Sequence, residues 1–262
     1  MIDSEDIADD SQPQLFLVAT PIGNLEDMSY RAVRILSEVD AIACEDTRHT
    51  RKLLAHYGIE TKRLLACHDH NERQSAGGIV SLIEQGQRVA LVSDAGMPVV
   101  NDPGYRVVAA VREAGLKVTL IPGPSAVLTA LVLSGLPPHE FAFLGFPPRK
   151  SGQRQNWLRK AKRHACTLVM MEAPHRLPEL LADALEVMGD VPGSVSLELT
   201  KRYESTTRGM MAELVAAFPE PPRGEVMVSM DAAQAIPDPE PDAGEGGRRR
   251  KGKRARREAG LS

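Results

Sequence analysis

The chain of 262 residues has no run approaching the ~18 consecutive apolar residues that a membrane-spanning helix requires, so an integral membrane protein is not expected. Cysteine is scarce: Cys44, Cys67 and Cys166 stand far apart with no C-x-x-C pair, which argues against a disulfide framework or a structural zinc site. The run Cys67-His68-Asp69-His70 lacks a second ligand pair at finger-like spacing, and no metal is expected there. Aromatic residues make up only 4% of the chain, so extensive base stacking on residues such as Trp157 and Tyr30 is not expected. Catalytic signatures are missing as well. Lys150-Ser151 has Arg149 and Leu144 where a phosphate-binding P-loop needs glycines. No G-x-G-x-x-G opens the first helix, Val127 stands where a nucleophile elbow around Ser125 needs glycine, and H-E-x-x-H does not occur. Nucleotide hydrolysis, dinucleotide redox chemistry, acyl transfer and zinc hydrolysis all lose weight. The first ten residues carry five acids and no base, the wrong composition for a targeting peptide, and a cytoplasmic protein is expected.

What the chain does have is three polar loops, each placed where a short apolar run ends. Leu15–Thr20 leads into Pro21-Ile-Gly-Asn24, Val89–Ser93 into Asp94-Ala-Gly-Met-Pro98, and Val118–Ile121 into Pro122-Gly-Pro-Ser-Ala126. Buried parallel strands read as such runs, and open α/β sheets bind ligands outside the carboxyl ends of their strands. Three Gly/Pro loops at three strand ends therefore predict one pocket built largely from backbone. The net charge of −3 conceals an asymmetry. Residues 247–262 hold eight Arg/Lys against a single Glu, a polycation suited to phosphate backbones or simply a solubilising tail.

The spacing of elements predicts an α/β protein of two lobes with a cleft between them. Residues 1–13 are expected to be disordered, 14–123 to form an N-terminal lobe, 124–231 a C-terminal lobe, and 232–262 a disordered linker and basic tail. Asp27 or Ser29 caps a first helix. Strands are predicted at 40–44, 63–66, 89–93 and 118–121, alternating with helices near 50–56, 77–85, 104–114 and 125–134, the pattern of a largely parallel sheet. Beyond Pro138 come predicted strands at 141–144, 167–171, 194–199 and 224–230, with helices at 153–163, 177–188 and 210–218.

A Gly/Pro-lined cleft with one strand-end carboxylate, Asp94, suits a ligand with hydroxyls, an adenine face and no phosphate, and S-adenosyl-L-methionine is such a ligand. Six motifs in order sharpen this. Ala19-Thr-Pro-Ile-Gly-Asn-Leu25, Glu45-Asp-Thr-Arg48, Ser93-Asp-Ala-Gly96 with Asp102-Pro-Gly104, Ser134-Gly-Leu-Pro137, Glu172-Ala-Pro-His-Arg176 and Leu199-Thr-Lys201 span nearly the whole patterned chain. Together they resemble the ribosomal RNA small subunit methyltransferase I family, 16S rRNA cytidine 2′-O-methyltransferases of the tetrapyrrole-methylase superfamily. Met97 departs from the threonine frequent in that family's Asp-Ala-Gly loop.

The resemblance implies two α/β lobes of the tetrapyrrole-methylase type rather than a Rossmann methyltransferase, S-adenosyl-L-methionine in the interlobe cleft, a homodimer, and 16S rRNA within the 30S subunit as partner. It carries cofactor binding to Pro21, Gly23, Asp94, Gly96, Met97, Ser125 and Ala126, against the plainer reading of the glycines and prolines as turn geometry. Transfer to a ribose hydroxyl needs positioning and removal of a proton. Glu45, Asp46 and Lys201, the last if burial depresses its pKa, are the candidates, with His49 and His68 behind them. Glu45-Asp46 with Arg48 reads equally well as a structural ion-pair knot. Arg48, His68, Asn71, Arg149, Lys150, His175 and Arg176, with Lys201 and Arg202, sit in loops where they could hold RNA phosphates. Methylation of a tetrapyrrole-like small molecule, or a non-catalytic RNA-binding assembly factor, remain as alternatives.

Overall fold

The computed structural model describes residues 10–60, 62–68 and 71–237; the acidic start up to residue 9 and the basic tail expected from the sequence lie outside the described residues. Five strands, β1 (Leu15–Val18), β2 (Ala41–Cys44), β3 (Arg63–Ala66), β4 (Val89–Val92) and β5 (Val118–Ile121), form a first sheet in the order β3-β2-β4-β1-β5. Every pairing in it is parallel. Side chains alternate between its faces. Phe16, Val18, Ile42, Cys44, Ala90 and Val92 meet α1 (Tyr30–Glu38) and α2 (Thr47–His56). Leu15, Ala41, Ala43, Val89 and Leu91 meet α3 (Glu72–Glu84) and α4 (Tyr105–Glu113). Burial on both faces explains why these strands are continuous apolar runs.

Caps set the helix starts. Ser29 Oγ accepts from Ala32 N at 3.1 Å and opens α1, while Asp46 accepts from Arg48 N at 2.8 Å and opens α2. α3 begins at Glu72, earlier than the sequence suggests. The buried Glu72 carboxylate accepts from Gly104 N and Arg106 N, each at 2.8 Å, and pins the start of α3 to that of α4.

The second sheet has the order β6-β7-β10-β8-β9, built from β6 (Phe141–Phe143), β7 (Thr167–Glu172), β8 (Pro192–Leu197), β9 (Ser205–Met210) and β10 (Val226–Asp231). Only β6 and β7 pair in parallel; the rest is antiparallel, so the parallel sheet is confined to the first half of the chain, where the sequence predicts it. β9 escaped sequence reading because Ser205-Thr-Thr-Arg-Gly-Met210 is a polar, half-exposed edge strand without an apolar run. α6 (Ser151–Ala161), α7 (Leu177–Met188) and α8 (Met211–Ala217) cover one face. The other face receives α5 (Ala126–Ser134) together with Ile22 from the loop after β1. No helix among the described residues is long and apolar enough to cross a membrane.

Two expected boundaries move outward. Asp10 falls within the segment expected to be disordered, yet it is buried and paired with Arg31 at 2.9 Å and Arg34 at 2.7 Å on α1. Past β10, Ala232–Gln234 form a helical turn, and Ile236 N donates to Met188 O at 2.8 Å. Burial acts to raise the Asp10 pKa, but hydrogen bonds from Arg31 and Arg34 outweigh it and hold the carboxyl below its usual range. A carboxylate depressed in the folded state stabilises above its unfolded pKa and loses that contribution as pH falls through the folded value. Asp10→Asn is therefore expected to lower unfolding free energy by about 1–2 kcal/mol at pH 7, the arginines being partly solvated. The deficit should vanish in urea titrations taken progressively below about pH 4; a deficit of the same size at pH 3 would refute the assignment.

Candidate functional site

β4, β1 and β5 are neighbours and parallel, so their three following loops emerge side by side, as the apolar runs implied. A short antiparallel bridge locks two of them. Thr20 N donates to Gly96 O at 2.9 Å and Gly96 N to Thr20 O at 3.1 Å. Thr20 Oγ1 also donates to Ser93 O at 3.1 Å, and Ser93 Oγ to Gly96 O at 2.9 Å. Gly96 has φ +82°, and a Cβ there would stand 3.0 Å from Ile22 Cγ2. Gly23 is required for a different reason: a Cβ would collide with Lys201 Cγ and come within 2.9 Å of Thr200 Oγ1. The first loop thus abuts the Leu199–Lys201 segment that follows β8, and Asn24 N donates to Thr200 Oγ1 at 3.1 Å.

Between the locked loops and the second sheet lies a cavity of about 510 Å³. Asp94, Asp102, Glu172 and Glu225 line it; Ile22, Ala126, Met171 and Met227 supply apolar wall; among the described residues no lysine or arginine lines it. Asp94 is held by its neighbourhood, its Oδ1 accepting from Asp46 N at 3.4 Å. Strain gathers at this rim. Val99 (φ +76°) and Asn101 (φ +64°) follow the Asp94 loop, and Glu198 (φ +49°) and Thr200 (φ +64°) follow β8. A β-branched residue at such a φ costs of order 1–3 kcal/mol and is retained where the surroundings over-determine it, often at ligand clamps.

The candidate cofactor residues therefore divide. Asp94 and Ala126 line the cavity, whereas Pro21, Gly23, Gly96, Met97 and Ser125 do not. Gly23 and Gly96 shape the loops behind the wall, and Ser125 caps α5, its Oγ accepting from Leu128 N at 3.4 Å. Sequence reasoning gave no role to Asn101, Asp102, Glu172 or Glu225 as lining groups, although Asp102 and Glu172 stand within two of the six motifs.

The proton-transfer candidates also change. Asp46 caps α2 and pairs with Arg48 at 3.1 Å; hydrogen bonds from the Arg48 side chain and backbone hold it down to about 2, which unfits it as a base near neutrality. Lys201 is corrected more firmly. Burial acts to lower its pKa, but hydrogen bonds to Glu225 and Glu198, each at 3.0 Å, outweigh that and raise it, so the ammonium persists. Glu45 is exposed at the end of β2, next to Asp46 in the chain. Of the RNA candidates, Arg149, His175 and Arg176 line a second hollow beside the cleft. Lys150 stands at the start of α6. Arg48, His68 and Asn71 lie at the ends of β2 and β3. Asn71 is used locally, accepting from His68 N at 2.8 Å and donating to Ala66 O at 2.9 Å. Among the described residues no three His, Cys, Asp or Glu side chains group as a metal site.

Residues 14–215 match the family model of tetrapyrrole (corrin/porphyrin) methylases. The chain belongs to the tetrapyrrole methylase family. It is 47% identical over 206 residues to the Ribosomal RNA small subunit methyltransferase I of Halalkalibacterium halodurans, covering 79% of this chain and 71% of that protein. The protein of the same name in Escherichia coli O157:H7 is 45% identical over 232 residues, 87% of this chain and 81% of that one. Among solved structures, the methyltransferase CobJ superposes with a TM-score of 0.62 at 18% identity, covering 83% of this chain and 93% of that chain. Diphthine synthase gives 0.61 at 16% identity, covering 82% and 89%. These remote likenesses establish the fold: two dissimilar sheets with a cleft between them, distinct from a Rossmann methyltransferase.

The bridge yields a test of how far the site depends on one missing side chain. Gly96→Ala is expected to lower unfolding free energy by about 1–2 kcal/mol, the cost of a left-handed L-residue, with the Ile22 contact adding to it. An unchanged denaturation midpoint would contradict the bridge as drawn.

Proposed function

We propose that this chain is an S-adenosyl-L-methionine-dependent methyltransferase of the small-subunit ribosomal RNA, acting on the 2′-hydroxyl of a cytidine in 16S rRNA. The observation that carries the reading is the cleft at the joined strand ends, with four carboxylates, an apolar wall and, among the described residues, no lysine or arginine in its lining. The relatives named as ribosomal RNA small subunit methyltransferases support the RNA acceptor.

The residues present fit this cofactor. Its sulfonium and ammonium outweigh its single carboxylate and leave it a net cation, charged at the methionine end, and a carboxylate-lined cleft favours it. In this reading Asp94, which lines the cleft, accepts from ribose or amino groups, and the apolar lining of Ile22, Met171 and Met227 meets the adenine. When bound, the cofactor supplies an electrophilic methyl group. The protein's part is alignment, worth several kcal/mol in well-oriented systems, and help with the hydroxyl proton. With Asp46 held as a cap and Lys201 held as a cation, Glu45 is the remaining candidate of the three for that proton. Lys201, beside the cleft, serves as a fixed positive charge that neutralises Glu225 and Glu198.

A homodimer in the cytoplasm completes the reading. α5 is apolar all round; one face is buried on the second sheet, while Leu128 and Val132 on the other are exposed, the latter by 74%. Leu120, on the edge strand β5, is exposed too. Such an apolar surface supports association with a second copy.

The test uses 30S particles from a strain lacking this gene, purified protein and methyl-labelled cofactor, with the rRNA then digested and the label located by mass spectrometry. A single 2′-O-methylcytidine is the expected result. No label on the rRNA, despite cofactor binding, would overturn the acceptor. Asp94→Ala should weaken cofactor binding at least about 30-fold, or about 2 kcal/mol, in calorimetric titration while leaving the fold intact. Undiminished affinity would remove Asp94 from the site.

A further inference from the structure

Beside the cleft lies a second hollow of about 700 Å³, bounded by the loop after β6 and by the Ala173–Arg176 turn after β7. It shares Phe146 and Ala173 with the cleft, so the two spaces are continuous across that rim. Their linings are sorted by charge. Among the described residues, the cleft holds Asp94, Asp102, Glu172 and Glu225 with no lysine or arginine in its lining, and the hollow holds Arg149 and His175, with Arg176 paired to Glu172, and no carboxylate in its lining. A cationic ligand is favoured on one side and an anionic one on the other.

The hollow is a built surface. Its loop is fixed from beneath by Arg154, which is buried, donates from Nε to Asp183 Oδ2 at 2.6 Å, and donates from Nη1 to the Arg149 carbonyl at 3.2 Å. That tie leaves the Arg149 side chain exposed at the rim. Phe146 is 51% exposed in a chain poor in aromatics, and the half-buried Pro148 lines the hollow with it, which supplies apolar surface. The partition between the spaces is the Glu172–Arg176 ion pair. Glu172 Oε1 accepts from Arg176 and, at 2.7 Å, from Ala173 N. The other carboxylate oxygen, Oε2, and Arg176 Nε are buried with no hydrogen-bond partner.

We infer that this hollow is the acceptor subsite and takes a nucleotide of a single-stranded RNA segment, an inference that rests on the methyltransferase reading above. The base lies against Phe146 and Pro148, the phosphate on Arg149 and His175, and the ribose at the shared rim facing the cleft. Single-strand recognition combines these two elements, an aromatic platform and cations tracking the backbone. Arg48, His68 and Asn71 do not line the hollow and fall outside this subsite.

The full-length protein tests this with Arg149→Glu, Arg149→Lys and His175→Ala. Binding of a fluorescein-labelled single-stranded 12-mer RNA is followed by anisotropy across a salt series, cofactor affinity by calorimetry, and transfer to undermethylated 30S particles by label incorporation. Arg149→Glu should raise the Kd for the 12-mer at least tenfold and reduce the salt slope by about one. It should also raise KM for 30S particles, leaving cofactor affinity within about twofold of wild type, which doubles as the folding control. Arg149→Lys should recover most of the binding, and His175→Ala should weaken it severalfold. Wild-type RNA affinity and wild-type KM in Arg149→Glu and His175→Ala would overturn the subsite while leaving the methyltransferase reading intact. Failure of the wild-type protein itself to methylate 30S particles would overturn both.

Discussion

The site depends on the pair of backbone hydrogen bonds between Thr20 and Gly96. Parallel strands bring loops to the same edge of a sheet but do not join them, because each loop's own backbone groups remain to be satisfied. The bridge satisfies two donors and two acceptors at once, and the Ser93 and Thr20 hydroxyls close the remaining geometry. With the loops joined, Ile22 is projected off the first sheet into the apolar cluster under α5, against Val169 and Met227 of the second. The cleft is the space left between that anchor and the carboxylates around it. Gly96 is the residue on which this turns, since its positive φ strains any L side chain and a Cβ there would press on Ile22 at 3.0 Å.

Charge gives the second organising constraint. Carboxylates gathered around a partly enclosed space repel one another and raise the local cost of burial, so the arrangement favours a cationic occupant. Lys201 relieves part of that repulsion from outside the lining by pairing with Glu225 and Glu198, and Arg176 does the same for Glu172. Both cations are thereby committed to structure. The neighbouring basic hollow is separated from the acidic cleft by no more than the Glu172–Arg176 pair, which brings opposite preferences for ligand charge within reach of one reacting pair of molecules.

Much of the architecture was legible from residue patterns. The parallel sheet was, because strands buried on both faces leave unbroken apolar runs, and so was the grouping of the three loops. α5 was framed correctly by Ser125 and Gly135, whose capping chemistry is local. The antiparallel half was harder. β9 carries no apolar run, and its place is set by pairing with β8, which no local signal encodes. Asp10 looked like part of an acidic tail; only its two arginine partners, a helix away in sequence, make it structural. The candidate site divided along the same line. Asp94 stood out as a strand-end carboxylate, but Glu225 and Asn101 reach the cavity through tertiary packing alone. Lys201 shows the converse error: burial was anticipated, the two glutamates that reverse its effect were not.

Hydrogen–deuterium exchange of the full-length protein, with and without saturating S-adenosyl-L-methionine, tests most directly that the ligand site is the cleft created by the joined loops. Protection is expected in peptides covering Thr20–Asn24, Asp94–Asp102 and Glu225–Met227, with exchange at the β3 end around Ala66–His68 unchanged. Protection concentrated at the β3 end, with the Thr20 and Gly96 amides unaffected, would contradict this placement of the site.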